Sequence, residues 1–119
     1  MRIKSILLFS LLCAASMANS TLAADQEADM DGRSLAFDRN KGNCLACHAI
    51  PNDPKATSPG DIGPALIGMK GRFPDRTKLR AQIWDATVAN SKTSMPPFGK
   101  NKVLTEPEID RIVDYIIGM

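Results

Sequence analysis

Histidine is almost absent: His48 is the single one in 119 residues, so a centre needing two imidazoles cannot be built from this chain alone. Cysteine is scarce too, three in all, and Cys13 lies in a segment read below as removed. Cys44 and Cys47 remain. A closed structural zinc site takes four ligands; Cys44, Cys47 and His48 supply three, and the fourth would have to be a carboxylate or come from another chain. Runs of Lys or Arg are missing. The 15 basic residues are scattered among 13 acidic ones, and nothing in that pattern argues for nucleic acid. Long apolar runs are missing as well. The most compact one, Ile6 to Leu12, is too short to span a hydrocarbon core of ~30 Å at ~1.5 Å per residue, so no stable membrane anchor is expected. No alternating pattern is long enough for a useful strand, and no internal repeat is visible. A chain of this length makes one domain, and at this size a core of side chains alone is marginal.

What is present is Cys44-Leu45-Ala46-Cys47-His48. Two thiols three positions apart can add to the two vinyl groups of one haem, and the adjacent histidine can then meet the iron. One covalently bound haem c is therefore expected, with Cys44 and Cys47 as thioether attachments and His48 as an axial ligand. It would supply the apolar nucleus that the short chain lacks. A thioredoxin-like redox pair would need a strand before the motif; Phe37-Asp38-Arg39-Asn40-Lys41-Gly42-Asn43 is not an apolar strand.

The N-terminus reads as a secretory signal peptide: a positive Met1-Arg2-Ile3-Lys4, the apolar Ile6–Leu12 stretch, then small residues leading to Leu22-Ala23-Ala24. Cleavage is expected after Ala24, giving a signal segment 1–24 and a monohaem domain 25–119. A lipoprotein reading fails because Leu12 precedes Cys13 where a small residue belongs. Loss of Arg2 and Lys4 brings the 15 basic residues to 13, level with the 13 acidic ones. Export to the periplasm suits the chemistry, since c-type haem is attached outside the bacterial cytoplasm.

The rest of the chain reads as short helices and loops. A helix is expected over Gly32–Phe37, with Asp29 or Asp31 as its cap. Pro51 to Gly63 is a loop, broken by Pro51, Pro54, Pro59 and two glycines. Gly71-Arg72-Phe73-Pro74 is expected to turn. Asp75 can cap a helix from Arg76 to Ala89, with Leu79, Ile83, Trp84 and Thr87 on one face. The last helix has the clearest start, Thr105 and Glu108 at capping-box spacing with Pro107 in the first turn; Ile109, Ile112, Val113, Ile116 and Ile117 then mark one buried stripe. Trp84 and Tyr115 read as core around the haem. Lys70, Arg72, Arg76, Lys78 and Arg80 read as a solvated face, with Arg72 the candidate for meeting haem propionates.

The second axial ligand cannot be a histidine. Met30, Met69, Met95 and Met119 remain. Met95 is the best placed, on a loop stiffened by Pro96 and Pro97 that can hold a thioether at the iron. Met69 is its rival, and core filling is the ordinary role of any methionine. An imidazole and a thioether on one iron raise its potential and leave no open position for a substrate.

The order of these parts resembles a class I cytochrome c: N-terminal helix, Cys-x-x-Cys-His, the Gly63-Pro64-Ala65-Leu66 segment, a methionine loop, C-terminal helix. The resemblance implies an all-α fold of short helices and loops around one haem. It sets Gly32 and Phe37 against Val113, Ile116 or their neighbours, and it makes the Pro64 carbonyl the acceptor of a hydrogen bond from His48. A narrower resemblance is to SoxX, the monohaem subunit of SoxAX. It is carried by Gly42–Ile50, Gly60–Leu66, Leu79–Ala86, Met95–Gly99 and Leu104–Ile109. That family implies a partner, the SoxA cytochrome, which bears the reactive cysteine-ligated haem. The heterodimer is an L-cysteine S-thiosulfotransferase that couples thiosulfate oxidatively to a cysteine of the carrier SoxYZ, and SoxX passes electrons to a soluble acceptor. The alternative is a free-standing diffusible carrier with the same fold and ligands.

Overall fold

A computed structural model describes residues 30–119. The expected signal segment and its cleavage after Ala24 lie outside them. Within them the chain forms α1 (Gly32–Phe37), a 3-10 turn (Cys44–Ala46), α2 (Met69–Arg72), α3 (Arg76–Trp84), a second 3-10 turn (Ala86–Val88) and α4 (Glu106–Ile116). No strand occurs among the described residues, and the fold is all-α, as expected.

Each of the three longer helices starts at a residue that satisfies its free amides. Asp31, in extended conformation, accepts from the Ser34 amide at 2.7 Å and starts α1. Asp75 does the same for α3 through the Thr77 amide at 2.9 Å. Thr105 and Glu108 form the full capping box of α4, with Pro107 in its first turn. The α4 stripe is buried at Ile109, Ile112, Val113 and Ile116, while Ile117, at the cap, is half-exposed. Leu35 and Ala36 of α1 are fully buried. The two helices cross where Gly32 meets α4: a Cβ there would run into the Arg111 carbonyl and lie 2.9 Å from Tyr115 Cβ. Phe37 meets the Tyr115 ring edge-on at 6.1 Å. The expected meeting of α1 and α4 is thus made through Arg111 and Tyr115.

Three sequence expectations need correction. The helix beginning at Arg76 stops at Trp84 instead of Ala89, because Asp85 turns out of the helix (φ −153°, ψ 88°) and its carboxylate takes up the Thr87 amide and hydroxyl instead. The first half of the turn expected at Gly71–Pro74 is helical instead: Gly71 and Arg72 close the short helix α2, and the Phe73 amide caps it by donating to the Met69 carbonyl. Arg76 and Arg80 are not a free solvated face. They join α3 to α4 through Arg76–Asp114 (2.7 Å), Arg80–Asp110 (2.8 Å) and Arg80–Glu106 (3.1 Å).

The Pro-rich loop after the cysteine motif is tied down by Asp53, a buried carboxylate. The Tyr115 hydroxyl donates to its Oδ2 at 2.7 Å, the Arg33 guanidinium pairs with the same oxygen at 2.7 Å, and the Lys55 amide donates to Oδ1 at 2.9 Å. One carboxylate therefore joins this loop to α1 and α4.

Candidate functional site

The Cys-x-x-Cys-His motif is wound on a single turn. Asn43 enters it in the left-handed region (φ 47°), which Asn tolerates better than most residues. The Cys47 and His48 amides then both donate to the Cys44 carbonyl, at 3.2 and 2.9 Å. The segment from Gly60 to Leu66 runs beside this turn and is laced to it. Gly60 donates to Leu45 (2.8 Å), Gly63 to Cys47 (2.7 Å) and Leu66 to Ala49 (2.8 Å). The approach is so close that a Cβ on Gly63 would sit 2.6 Å from His48 Nδ1, inside the imidazole's own space. His48 Nδ1 lies 2.7 Å from the Pro64 carbonyl oxygen. A carbonyl can only accept, so the proton sits on Nδ1, and Nε2 is left with its lone pair for a metal.

The turn faces a cavity of about 680 Å³, within the ~300–1,000 Å³ range of sites that bury a ligand. Cys44, Cys47, His48 and Pro64 form one part of its wall; Leu66, Leu79, Ile83 and Phe98 contribute buried apolar surface. Two thiols, an imidazole with a free lone pair and an apolar chamber fit a covalent haem well. Burial pushes the Cys44 thiol up to about 11, the reverse of what a redox-active cysteine requires. No group of three or more His, Cys, Asp or Glu among the described residues is arranged to hold a metal ion by itself, so a closed zinc site has no ligand set there.

Both candidate methionines reach this wall. Met69 is buried in the core, and its sulfur accepts from Arg72 Nη1 at 3.3 Å. Met95 is half-exposed on the loop, held by its amide to Thr93 Oγ1 at 3.1 Å. Met119 is not on the wall; its carbonyl accepts from the Met69 amide. Arg72, which also donates to the Ala65 carbonyl at 2.9 Å, lines the cavity with Lys41 and Lys92, and among the described residues no acidic one does.

Sequence reasoning placed Trp84 and Tyr115 around the cavity, and neither lines it. Tyr115 is occupied by Asp53. Trp84 lies between the Arg80 guanidinium, 5.6 Å from its ring, and Gly99. Lys41 was missed altogether. Its ammonium pairs with Glu108 at 3.0 Å and so joins the approach to the motif to the capping box of α4. Burial works against the Glu108 charge, but the Thr105 amide and Lys41 outweigh it and hold the carboxyl below its usual range.

Over residues 28–116 the chain matches the family model described as cytochrome c oxidase, cbb3-type, subunit III. It is 36% identical over 76 residues to an uncharacterized lipoprotein of Aquifex aeolicus (strain VF5). That match takes in 64% of this chain and 36% of the relative, so the chain spans only about a third of that protein's length. Among solved structures it resembles a chain in the crystal structure of SoxXA from P. pantotrophus, with a TM-score of 0.65 and 25% identity over 72% of this chain and 77% of that one.

Proposed function

The chain belongs to the cytochrome c family described as cytochrome c oxidase, cbb3-type, subunit III, and from that premise we propose that it is the electron-transfer subunit, SoxX-like, of a periplasmic thiosulfate-oxidising complex. As a c-type cytochrome it carries one haem c on its Cys-x-x-Cys-His motif. The haem supplies a one-electron iron centre.

The side chains of this protein attach, orient and enclose that group. Cys44 and Cys47 hold it by thioethers. His48 offers Nε2 to the iron, and the Pro64 carbonyl, by taking the Nδ1 proton, fixes the ring's tautomer and makes it a better donor. Met95 would offer its sulfur to the iron; the alternative, Met69, already accepts a hydrogen bond from Arg72. Arg72 offers a counter-charge for the haem carboxylates. Two protein ligands would leave the iron no position for substrate, and the group so held would relay electrons.

The observation that carries the reading is the pairing of a proton-fixed imidazole and two thiols with a cavity that Met95 also lines. The Sox assignment is supported by the shared sequence blocks and by the likeness to a SoxXA chain. It implies a SoxA-like cytochrome partner with the cysteine-ligated haem, since removal of a signal segment with Cys13 would leave this chain no cysteine beyond Cys44 and Cys47, and a SoxYZ-like carrier and a soluble acceptor beyond it. The complex as a whole would act as an L-cysteine S-thiosulfotransferase.

The native mass of the haem species released from the periplasm of the source cells tests this. A second, different haem subunit should accompany the chain, and thiosulfate with the carrier should reduce its haem. A lone monohaem monomer, indifferent to thiosulfate, would overturn the assignment in favour of a free-standing diffusible carrier.

A further inference from the structure

The chain leaves α3 at Trp84 and returns to the same residue at Gly99. The Gly99 and Lys100 amides both donate to the Trp84 carbonyl, at 3.1 and 3.3 Å. Gly99 is buried, and its Cα lies on the indole so closely that a Cβ would fall 2.7 Å from Cζ3 and nearer still to Cε3. The neighbouring residues repeat the pairing. Asp85 is 8% exposed, and its Oδ2 meets Lys100 Nζ at 3.0 Å. Residues 85–98 are thereby a loop closed at one point, in the manner of compact surface loops whose ends touch. Met95 is inside it, separated from the closure only by Pro96, Pro97 and Phe98. Two prolines transmit position stiffly, and Phe98, buried on the cavity wall, leaves the intervening backbone little freedom.

We propose that this closure, Trp84 against Gly99 with Asp85 against Lys100, is the positioning device for Met95, and that it sets how firmly the Met95 sulfur is held at the iron. The inference rests on the reading of Met95 as axial ligand. A thioether is a weak ligand on a flexible side chain. Its hold depends on how often the loop presents it, and an outside ligand gains wherever that population falls. Trp84 thus acts through the loop, from outside the cavity.

The test uses the intact holocytochrome. Gly99→Ala, Trp84→Leu and Asp85→Asn are compared with wild type for the thioether-to-iron charge-transfer band of the ferric protein, for affinity toward added imidazole and for thermal stability. Gly99→Ala and Trp84→Leu should weaken the band and raise the imidazole affinity by roughly tenfold or more. Asp85→Asn, which keeps the shape and removes the ion pair, should shift both in the same direction by less. Trp84→Phe, which keeps a ring under Gly99, should restore most of the band. Lowered thermal stability with an unchanged band and unchanged imidazole affinity would show a purely structural contact and overturn the proposal. Met95→Ala separates the two readings. If it keeps the band, the ligand assignment fails and the proposal with it. If it loses the band while the closure variants keep theirs, the proposal alone fails.

Discussion

At the scale of single residues, the site depends on a missing side chain as much as on those present. Gly63 lets the backbone lie against the His48 ring, and the hydrogen bond from Nδ1 to Pro64 follows from that approach. Gly63→Ala should push the ring off the Pro64 carbonyl. Overpacking of this kind costs about 1–3 kcal/mol, which denaturant titration of the holoprotein would register. The Nδ1 proton should also exchange with solvent faster than in wild type. Unchanged proton exchange would mean that the ring is held by something other than this bond. Gly63 was visible in the sequence only as part of a Gly-Pro segment, because nothing local reveals which side chain will occupy the space a missing Cβ leaves.

At the scale of elements, α1 and α4 form the frame. Their meeting depends on Gly32, whose lack of a side chain allows the Arg111 carbonyl and Tyr115 to come close. Gly32→Ala should raise helix propensity locally and yet destabilise the protein by about 1–3 kcal/mol, since the two helices must part. A denaturation midpoint equal to or above wild type would show that the crossing can slide. The ion pairs between α3 and α4 are a weaker fastening. Arg76 and Arg80 keep substantial exposure, and pairs of that kind contribute little singly. They do explain why a basic helix lies beside an acidic one, a relation invisible in either segment alone.

At the scale of the whole molecule, several carboxylates are held below their ordinary values by partners that exist only in the fold. Asp53 is lowered chiefly by the Tyr115 hydroxyl and Asp110 chiefly by Arg80; Asp85 is lowered chiefly by the Thr87 hydroxyl. A depressed carboxyl contributes stability that is complete above its unfolded value, near 3.8, and is lost as pH falls through the folded value. Tyr115 has the opposite sign. Burial and then the hydrogen bond to Asp53 raise its hydroxyl above the ordinary 10, so its contribution is complete below that pH and is lost as pH rises through the folded value. The denaturation midpoint should therefore be flat from about pH 5 to 9 and should fall below about pH 4. Asp53→Asn should be less stable at neutral pH and less sensitive to acid; an acid slope unchanged by that substitution would remove the clasp from the balance.

The all-α architecture, the haem motif and the three helix starts were determined by sequence alone, because each depends on residues within about four positions of one another: thiols and imidazole on one turn, a cap and the amide it satisfies, a stripe repeating with the helical period. The position of the Met95 loop between two helices was also legible from its prolines. Tertiary structure decided the rest. It brought Gly99 and Lys100 back against Trp84 and Asp85 at the end of α3. It gave Asp53 its place inside, in a loop whose sequence carried no sign of it, since a buried carboxylate is tolerable only when distant elements bring donors to it. It set the Met69 sulfur beside Arg72 in the core and left Met95 half-exposed on its loop, with both methionines on the cavity wall.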